Sequence, residues 1–175
     1  HEIHDIHVVK GYLQEKIALP DITYYLNEQY KSNNILLSLM HAETAMDGAF
    51  LASYSDIIFH PDVVGKLLQS DGDISVIVDT GWQSQYDGRT HHPVSEAEKT
   101  IWDDAGHVVE IGKVIDHPED AQGEFIGLIK CTHRGAELFT TFYQQAVQEF
   151  SGKPFIRAPE FRKAYLTDLI MYMIG

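Results

Sequence analysis

Short apolar runs alternate with amphipathic stretches through the first half of the chain. Residues 6–9 and 22–26 are rich in β-branched and aromatic side chains, which is typical of strands. Residues 49–54 and 74–78 are almost continuously apolar and are bounded by turns and acids, which predicts buried strands. Four strands are therefore expected before residue 80.

Helical spacing separates these strands. Asn33 or Asn34 is a suitable helix cap, and the apolar positions behind it predict a helix that ends near Asp47. Pro61 suits the first turn of a second helix, which carries an apolar stripe from Val63 to Leu68. Alternating strands and helices predict one α/β domain over residues 1–175, with a mostly parallel sheet covered by helices.

The second half of the chain has a different pattern. Residues 80–100 are polar and predict a long excursion over one end of the sheet. The turn signal at 103–106 predicts a hairpin, and residues 124–131 form a further apolar strand. Gly127 inside that strand indicates a bulge or a close backbone approach. Residues 136–150 and 165–174 have helical spacing.

Charge narrows the classes of function. The chain has 13 basic and 26 acidic side chains and a net charge of −13, which disfavours binding to nucleic acid or to an anionic membrane. A phosphate-bearing substrate then requires Mg²⁺ or local Lys and Arg side chains. The single cysteine, Cys131, agrees with a reducing, cytoplasmic compartment and is best explained as a small apolar strand residue.

Two acids follow predicted strands. Ligands of open α/β sheets bind outside the carboxyl ends of strands, and Asp56 and Asp79 both lie at such ends. A carboxylate at this position can bind Mg²⁺, although Asp56 can equally cap the next helix. The amides and hydroxyl of Ser32, Asn33 and Asn34 can contact a base or ribose, or can simply form a turn.

Other charged and aromatic side chains suit a small zwitterionic substrate. Arg89 and Lys99 can bind a phosphate or phosphonate, and Trp82 can face an ammonium group. Lys113 ends a strand and can meet a substrate anion, whereas Glu124 begins the next strand and can meet a cation. The alternative for residues 80–99 is a solvated loop.

Taken in order, several motifs resemble those of the nucleotidyltransferases, of the sugar-1-phosphate and phosphocholine cytidylyltransferase type. The motifs are Val8-Val-Lys-Gly-Tyr12, Asn27-x-x-Tyr30-x-Ser32-Asn33-Asn34, Ser38-Leu39, Tyr54-Ser-Asp56-Ile-Ile-Phe59, Val109-Glu-Ile-Gly-Lys113 and Gly123-Glu-Phe-Ile-Gly127.

A narrower set is similar to the cytidylyltransferases of phosphonate biosynthesis, some of which are fused to a phosphoenolpyruvate mutase domain. This set is Val78-Asp-Thr-Gly-Trp82, Tyr86, Arg89, His92-Pro-Val-Ser-Glu-Ala-Glu-Lys99 and Ala164-Tyr-Leu-Thr-Asp168.

The resemblance implies a three-layer αβα sandwich with a Rossmann-like mixed sheet, and the transfer of CMP from CTP to a small phosphonate. It implies that Asp56 binds Mg²⁺ and that Lys113 meets the acceptor. The nucleotide side would hold Ser32, Asn33, Asn34 and Ser55. The acceptor side would hold Trp82, Arg89, Lys99, Glu124 and Asp168.

One departure from the family pattern matters. The family's first strand, its Gly-rich phosphate loop and its late metal-binding Asp have no counterpart here, and Gly11 follows the second family strand. We therefore expect a central segment of a longer, homo-oligomeric or fused protein that is inactive by itself. The alternatives are phosphocholine or sugar-1-phosphate activation, and a non-catalytic nucleotide-binding regulatory domain.

Overall fold

Seven strands and four α-helices are found in residues 3–175, the part of the chain that the computed structural model describes. The strands are β1 (His7–Lys10), β2 (Thr23–Leu26), β3 (Phe50–Ser53), β4 (Ile74–Asp79), β5 (Lys99–Trp102), β6 (Val108–Gly112) and β7 (Gly123–Cys131). The helices are α1 (Ile35–Leu39), α2 (Asp62–Gln69), α3 (His133–Phe150) and α4 (Leu166–Ile174).

The strands form two sheets. Strands β1 and β2 pair in parallel as a two-stranded sheet. The other five form a second sheet in the order β3-β7-β5-β6, and β4 also pairs with β7. The hairpin expected around residues 103–106 is confirmed, because β5 and β6 pair antiparallel across it.

The α/β fold class expected from sequence is confirmed, but the strand pairing corrects one detail of it. Every ladder of the five-stranded sheet is antiparallel, so the sheet is not mostly parallel. Strands β3 and β4 do run in the same direction, as a strand–helix–strand unit requires. They are separated by β7, which comes much later in the chain and runs against both.

Alternate residues of β7 face two different helical layers, because side chains along a strand point to opposite faces. Ile129 and Cys131 are fully buried in the core that the sheet shares with α3 and α4. Between them, Lys130 points to the other face and donates a hydrogen bond to the carbonyl of Ser70, directly after α2. The sheet therefore has helices on both faces, which is the predicted three-layer arrangement.

The helix predicted to reach residue 47 is shorter than expected. Its α-helical part is α1 alone, and a 3-10 segment, Met40–Ala45, continues it. Met40 and Ala42 are both buried, although two positions two residues apart lie about 200° apart around an α-helix. The non-helical backbone at Ala42 (φ −97°, ψ 17°) lets both side chains reach the core.

Gly127 allows a close contact at the centre of the sheet. Its φ is +83°, and a Cβ atom there would lie 2.2 Å from the Tyr54 ring. The Tyr54 amide donates to the Gly127 carbonyl over 2.8 Å, which carries the β3–β7 pairing one residue beyond β3. Both alternatives predicted for Gly127 are observed, because the β4–β7 register also shifts here, between the pairs Val76–Ile129 and Val78–Phe125.

Two further expectations concern the core and the membrane. Cys131 is fully buried in β7, and burial raises the pKa of its thiol to about 12, so it is the small apolar strand residue that was expected. Within residues 3–175, no helix combines the length and the apolar character needed to span a bilayer.

We predict that Gly127→Ala lowers the free energy of unfolding by about 2–5 kcal/mol, because the left-handed backbone and the overlap with Tyr54 both cost energy. Gly106→Ala is the matched control. Gly106 has the same φ of +83° and open space around it, so only the backbone cost of about 1–2 kcal/mol is expected. Urea unfolding of both variants measures the difference. Equal losses would mean that the ring contact contributes nothing.

Candidate functional site

A cleft of about 310 Å³ opens where strand ends and helix starts meet. Its walls come from the segment after β3, the end of β6, the residue before β5, and the first residues of α1 and α4. The lining residues are Asn34, Ile35, Tyr54, Ser55, Asp56, Glu98, Lys113 and Tyr165. Four predicted site residues, Asn34, Ser55, Asp56 and Lys113, are therefore brought together from distant parts of the chain.

Asp56 is exposed in this cleft, three residues after β3. Its carboxylate makes no hydrogen bond or ion pair with any residue of the described chain. The helix-cap alternative has no contact to support it: no side chain caps α2, and the Asp62 amide in its first turn is bonded to His60 instead. The carboxylate oxygens of Asp56 are thus open to a ligand.

Lys113 follows β6 and is half-buried. Its ammonium lies 2.8 Å from a carboxylate oxygen of Glu96 and 4.7 Å from the centre of the Tyr165 ring. Burial by itself would lower the pKa of Lys113, but the hydrogen bond to Glu96 and the nearby Tyr165 outweigh it and raise that pKa. Lys113 is therefore a fully charged cation at the cleft wall.

Glu98 forms part of the cleft floor and is only 7% exposed. One carboxylate oxygen accepts a hydrogen bond from Thr167 at 2.7 Å, and the other accepts one from the Tyr54 hydroxyl at 3.2 Å. Burial raises the pKa of this carboxyl, and the two hydrogen bonds oppose that rise. Glu98 belongs to the motif at residues 92–99, but no role was predicted for it from sequence. An acid directly before a buried strand was the available signal.

The amide cluster before α1 satisfies its hydrogen bonds internally. Asn33 and the buried Asn27 exchange two side-chain hydrogen bonds of 2.9 and 3.0 Å. Ser32 donates to the Gln29 carbonyl at 3.0 Å. Asn34 accepts from the Ile35 amide, as the predicted cap should, and its side chain also donates to a carbonyl at residue 163. Of these three predicted nucleotide contacts, only Asn34 lines the cleft.

Three predicted acceptor-side residues cluster around Tyr86, outside the cleft lining. The Tyr86 hydroxyl donates to Glu124, and the Arg89 guanidinium lies 5.1 Å from the centre of the Tyr86 ring. Trp82 packs edge-on against the same ring and is 3% exposed. The first part of the excursion is therefore attached to the start of β7 through Tyr86, whereas residues 87–96 are exposed, as the solvated-loop alternative expects.

Lys99 and Asp168 are both buried and have structural contacts. Lys99 pairs with Glu124 across the β5–β7 ladder, and its ammonium donates to the Lys113 carbonyl at 3.1 Å. Burial lowers the pKa of Lys99. Asp168 accepts a hydrogen bond from the Tyr165 amide at 2.7 Å and so caps the start of α4. Burial raises the pKa of this carboxyl.

The donor set of the cleft fits a magnesium ion that is shared with a nucleotide. Asp56 supplies one open carboxylate, and Mg²⁺ in nucleotide sites is bound by one or two carboxylates, with phosphates and water completing the shell. A closed protein site is not formed there. In the described part of the chain, one group of three converging ligand side chains exists, His117, Glu119 and Asp120; it is fully exposed and includes none of the cleft residues.

Comparison with known proteins places the fold. No family model matches the chain. It is 24% identical to the CTP:phosphoglutamine cytidylyltransferase of Campylobacter jejuni, over 98% of the chain and 70% of that protein.

Solved structures show the same fold at low identity. The inositol-1-phosphate CTP transferase of T. maritima superimposes with a TM-score of 0.57 at 18% identity, over 86% of this chain. A Bacillus anthracis protein provisionally described as a glucose-1-phosphate thymidylyltransferase gives 0.62 at 14% identity, over 98%. The CTP:phosphocholine cytidylyltransferase of Streptococcus pneumoniae gives 0.52 at 15% identity, over 97%.

These likenesses support the resemblance to nucleotidyltransferases and show that the chain has their mixed α/β fold. The chain spans 51% to 64% of the length of the three solved structures.

We predict that Asn27→Ala lowers the free energy of unfolding by about 1–3 kcal/mol, because it removes the partner of Asn33 and of the Gln29 amide. Ser32→Ala, which removes a hydrogen bond at the exposed side of the same turn, should change stability by about 0.5 kcal/mol or less. Thermal unfolding of the two variants tests this. A neutral Asn27→Ala would show that the amide pair is not structural.

Proposed function

We propose that this chain forms the nucleotide- and acceptor-binding part of a cytidylyltransferase that transfers CMP from CTP to a small phosphonate. The acceptors proposed are 2-aminoethylphosphonate and 2-hydroxyethylphosphonate. The observation that carries the proposal is the convergence of Asp56 and Lys113 on one cleft at the strand ends of a nucleotidyltransferase fold.

The reaction requires no covalent enzyme intermediate. A phosphonate oxygen of the acceptor attacks the α-phosphorus of CTP, the bond from that phosphorus to the bridging oxygen of the β-phosphate breaks, and pyrophosphate leaves. In this proposal Lys113 orients the acceptor's anionic head by charge and hydrogen bonding. Asp56 holds Mg²⁺, which when bound offsets the negative charge of the triphosphate. The rest of the catalysis is the alignment of the attacking oxygen, the α-phosphorus and the leaving pyrophosphate.

Support for CTP comes from the relatives. The Campylobacter jejuni protein and two of the three solved structures are named as CTP-using transferases, whereas the third is named for thymidylyl transfer. We assign Ser55 and Asn34, which line the cleft, to the nucleotide side, with Ser32 and Asn33 supporting the turn beside them. We assign Lys99, Glu124, Trp82, Arg89 and Asp168 to the support of the acceptor side.

A phosphate ester is the second candidate acceptor. The relatives are named for phosphoglutamine, inositol-1-phosphate, phosphocholine and glucose-1-phosphate, each of which bears a phosphate instead of a phosphonate. The phosphonate is preferred here because of the motif at residues 92–99 and its resemblance to phosphonate cytidylyltransferases. A phosphoenolpyruvate mutase fusion stays a prediction.

Pyrophosphate release by the full-length protein tests the function directly. The protein is incubated with Mg²⁺ and with CTP, UTP or dTTP, and each nucleotide is combined with aminoethylphosphonate, hydroxyethylphosphonate, phosphocholine or glucose-1-phosphate. The proposal expects release with CTP and a phosphonate. Release with phosphate esters alone would move the assignment to the second candidate. Micromolar nucleotide binding without release would identify a regulatory domain instead.

We predict that Asp56→Asn lowers kcat/KM by at least about 100-fold, because the amide is a far weaker magnesium ligand than the carboxylate. The matched control is Asp79→Asn, at the end of β4. Asp79 accepts a hydrogen bond from the Gly81 amide, and an Asn oxygen can accept it equally well. Activity with rising Mg²⁺ and circular dichroism are measured for both. Full activity of Asp56→Asn would exclude the metal role.

We predict that Lys113→Gln raises KM for the acceptor by about 10- to 100-fold and leaves KM for CTP within about 3-fold, because a charge-assisted contact to the phosphonate is lost. Lys66→Gln, an exposed lysine in α2, should leave both constants unchanged. Steady-state kinetics with each substrate varied separates the two effects. An increase in KM for CTP alone would place Lys113 on the nucleotide instead.

A further inference from the structure

The floor of the cleft holds a buried carboxyl group that no neighbouring cation contacts directly. The Glu98 carboxylate is 7% exposed, and its two oxygens are bonded to hydroxyl groups, one of Thr167 and one of Tyr54. The cation that shares the cleft, Lys113, bonds to Glu96 instead. The charge of Lys113 favours the ionised form of Glu98, but Lys113 and Glu98 form no salt bridge.

Such an arrangement is costly for folding alone. A buried carboxylate is stable when it is paired with a cation, and hydrogen bonds from neutral hydroxyls offset only part of the desolvation. A hydrophobic side chain or a Gln would fill the same space at lower cost. A buried charge in a cleft is therefore a candidate for ligand binding.

The cleft also separates its charges in a way that suits one kind of molecule. Lys113 presents an ammonium and Glu98 a carboxyl group to the same space of about 310 Å³. The rings of Tyr54 and Tyr165 complete the lining, and aromatic faces attract ammonium groups. A short molecule with an anionic head and an ammonium tail satisfies both charges at once.

We propose that Glu98 determines specificity for acceptors that carry a primary ammonium group, by accepting its charge-assisted hydrogen bond at the cleft floor. This rests on the proposed function, in which Lys113 binds the anionic end of the acceptor. The role was given to Glu124 from sequence. Glu124 accepts from Tyr86 and lies opposite Lys99 in the sheet, and it does not line the cleft, so Glu98 is the better-placed acid.

The test compares two phosphonates that differ in one group. The full-length protein is assayed with CTP, Mg²⁺ and either 2-aminoethylphosphonate or 2-hydroxyethylphosphonate. Glu98→Gln should lower kcat/KM for the amino compound by about 10- to 100-fold, because a hydrogen bond to a charged group is lost. The hydroxy compound should change by less than about 3-fold, because a Gln side chain has nearly the same shape and can bond both hydroxyls.

The controls separate specificity from stability. Glu137→Gln removes an exposed acid from α3 and should alter neither acceptor. Thermal unfolding of Glu98→Gln shows whether the fold is retained. An equal loss for both phosphonates, with or without a lower Tm, would overturn the proposal and leave Glu98 a structural residue.

Direct binding keeps this inference distinct from the proposed reaction. If no pyrophosphate is released with any acceptor, the proposed function fails, and calorimetry then measures binding of the two phosphonates to the same variants. Stronger binding of the amino compound that is lost in Glu98→Gln would still support the role of Glu98. No preference in the unmodified protein would overturn it.

Discussion

The contact between the Tyr54 ring and the backbone of Gly127 fixes the geometry of the cleft. Because Gly127 has no side chain, the ring can lie across β7 while the Tyr54 amide bonds to the Gly127 carbonyl. The same ring directs its hydroxyl toward Glu98. It also sets the point at which the chain leaves the sheet, two residues before Asp56. The strand core and the cleft are thus connected through one residue that lacks a Cβ.

Local pattern was sufficient to predict the elements but not all of their partners. The apolar runs at residues 49–54, 74–78 and 124–131 correspond to β3, β4 and β7, and the direction of β3 relative to β4 followed from the helix between them. The insertion of β7 between those strands is a long-range pairing, because residues 54–122 separate β3 from β7, and no local signal encodes it. The kink at Ala42 depends likewise on which faces the tertiary core buries.

The site residues divide in the same way, into those that local pattern predicts and those whose role depends on the tertiary fold. Asp56 and Lys113 could be predicted because strand ends converge in an α/β fold, and both line the cleft. The amides before α1 could not be divided between ligand and turn by sequence, because the contact between Asn27 and Asn33 is invisible until the turn is formed. Glu98 was missed for a related reason: its position before a strand was visible, but its importance comes from burial, which distinguishes it from Glu96 only in the folded chain.

The ion pair between Lys113 and Glu96 has a consequence for the segment that follows β4. Glu96 and an incoming anion are both negative, so beside the single charge of Lys113 they repel each other, although its ammonium has a donor for each. Binding of an anion at Lys113 and attachment of Glu96 to the cleft wall are therefore antagonistic, and by thermodynamic reciprocity each weakens the other by the same factor. Occupancy of the cleft and freedom of this segment thus rise together, because two anions share the charge of one ammonium.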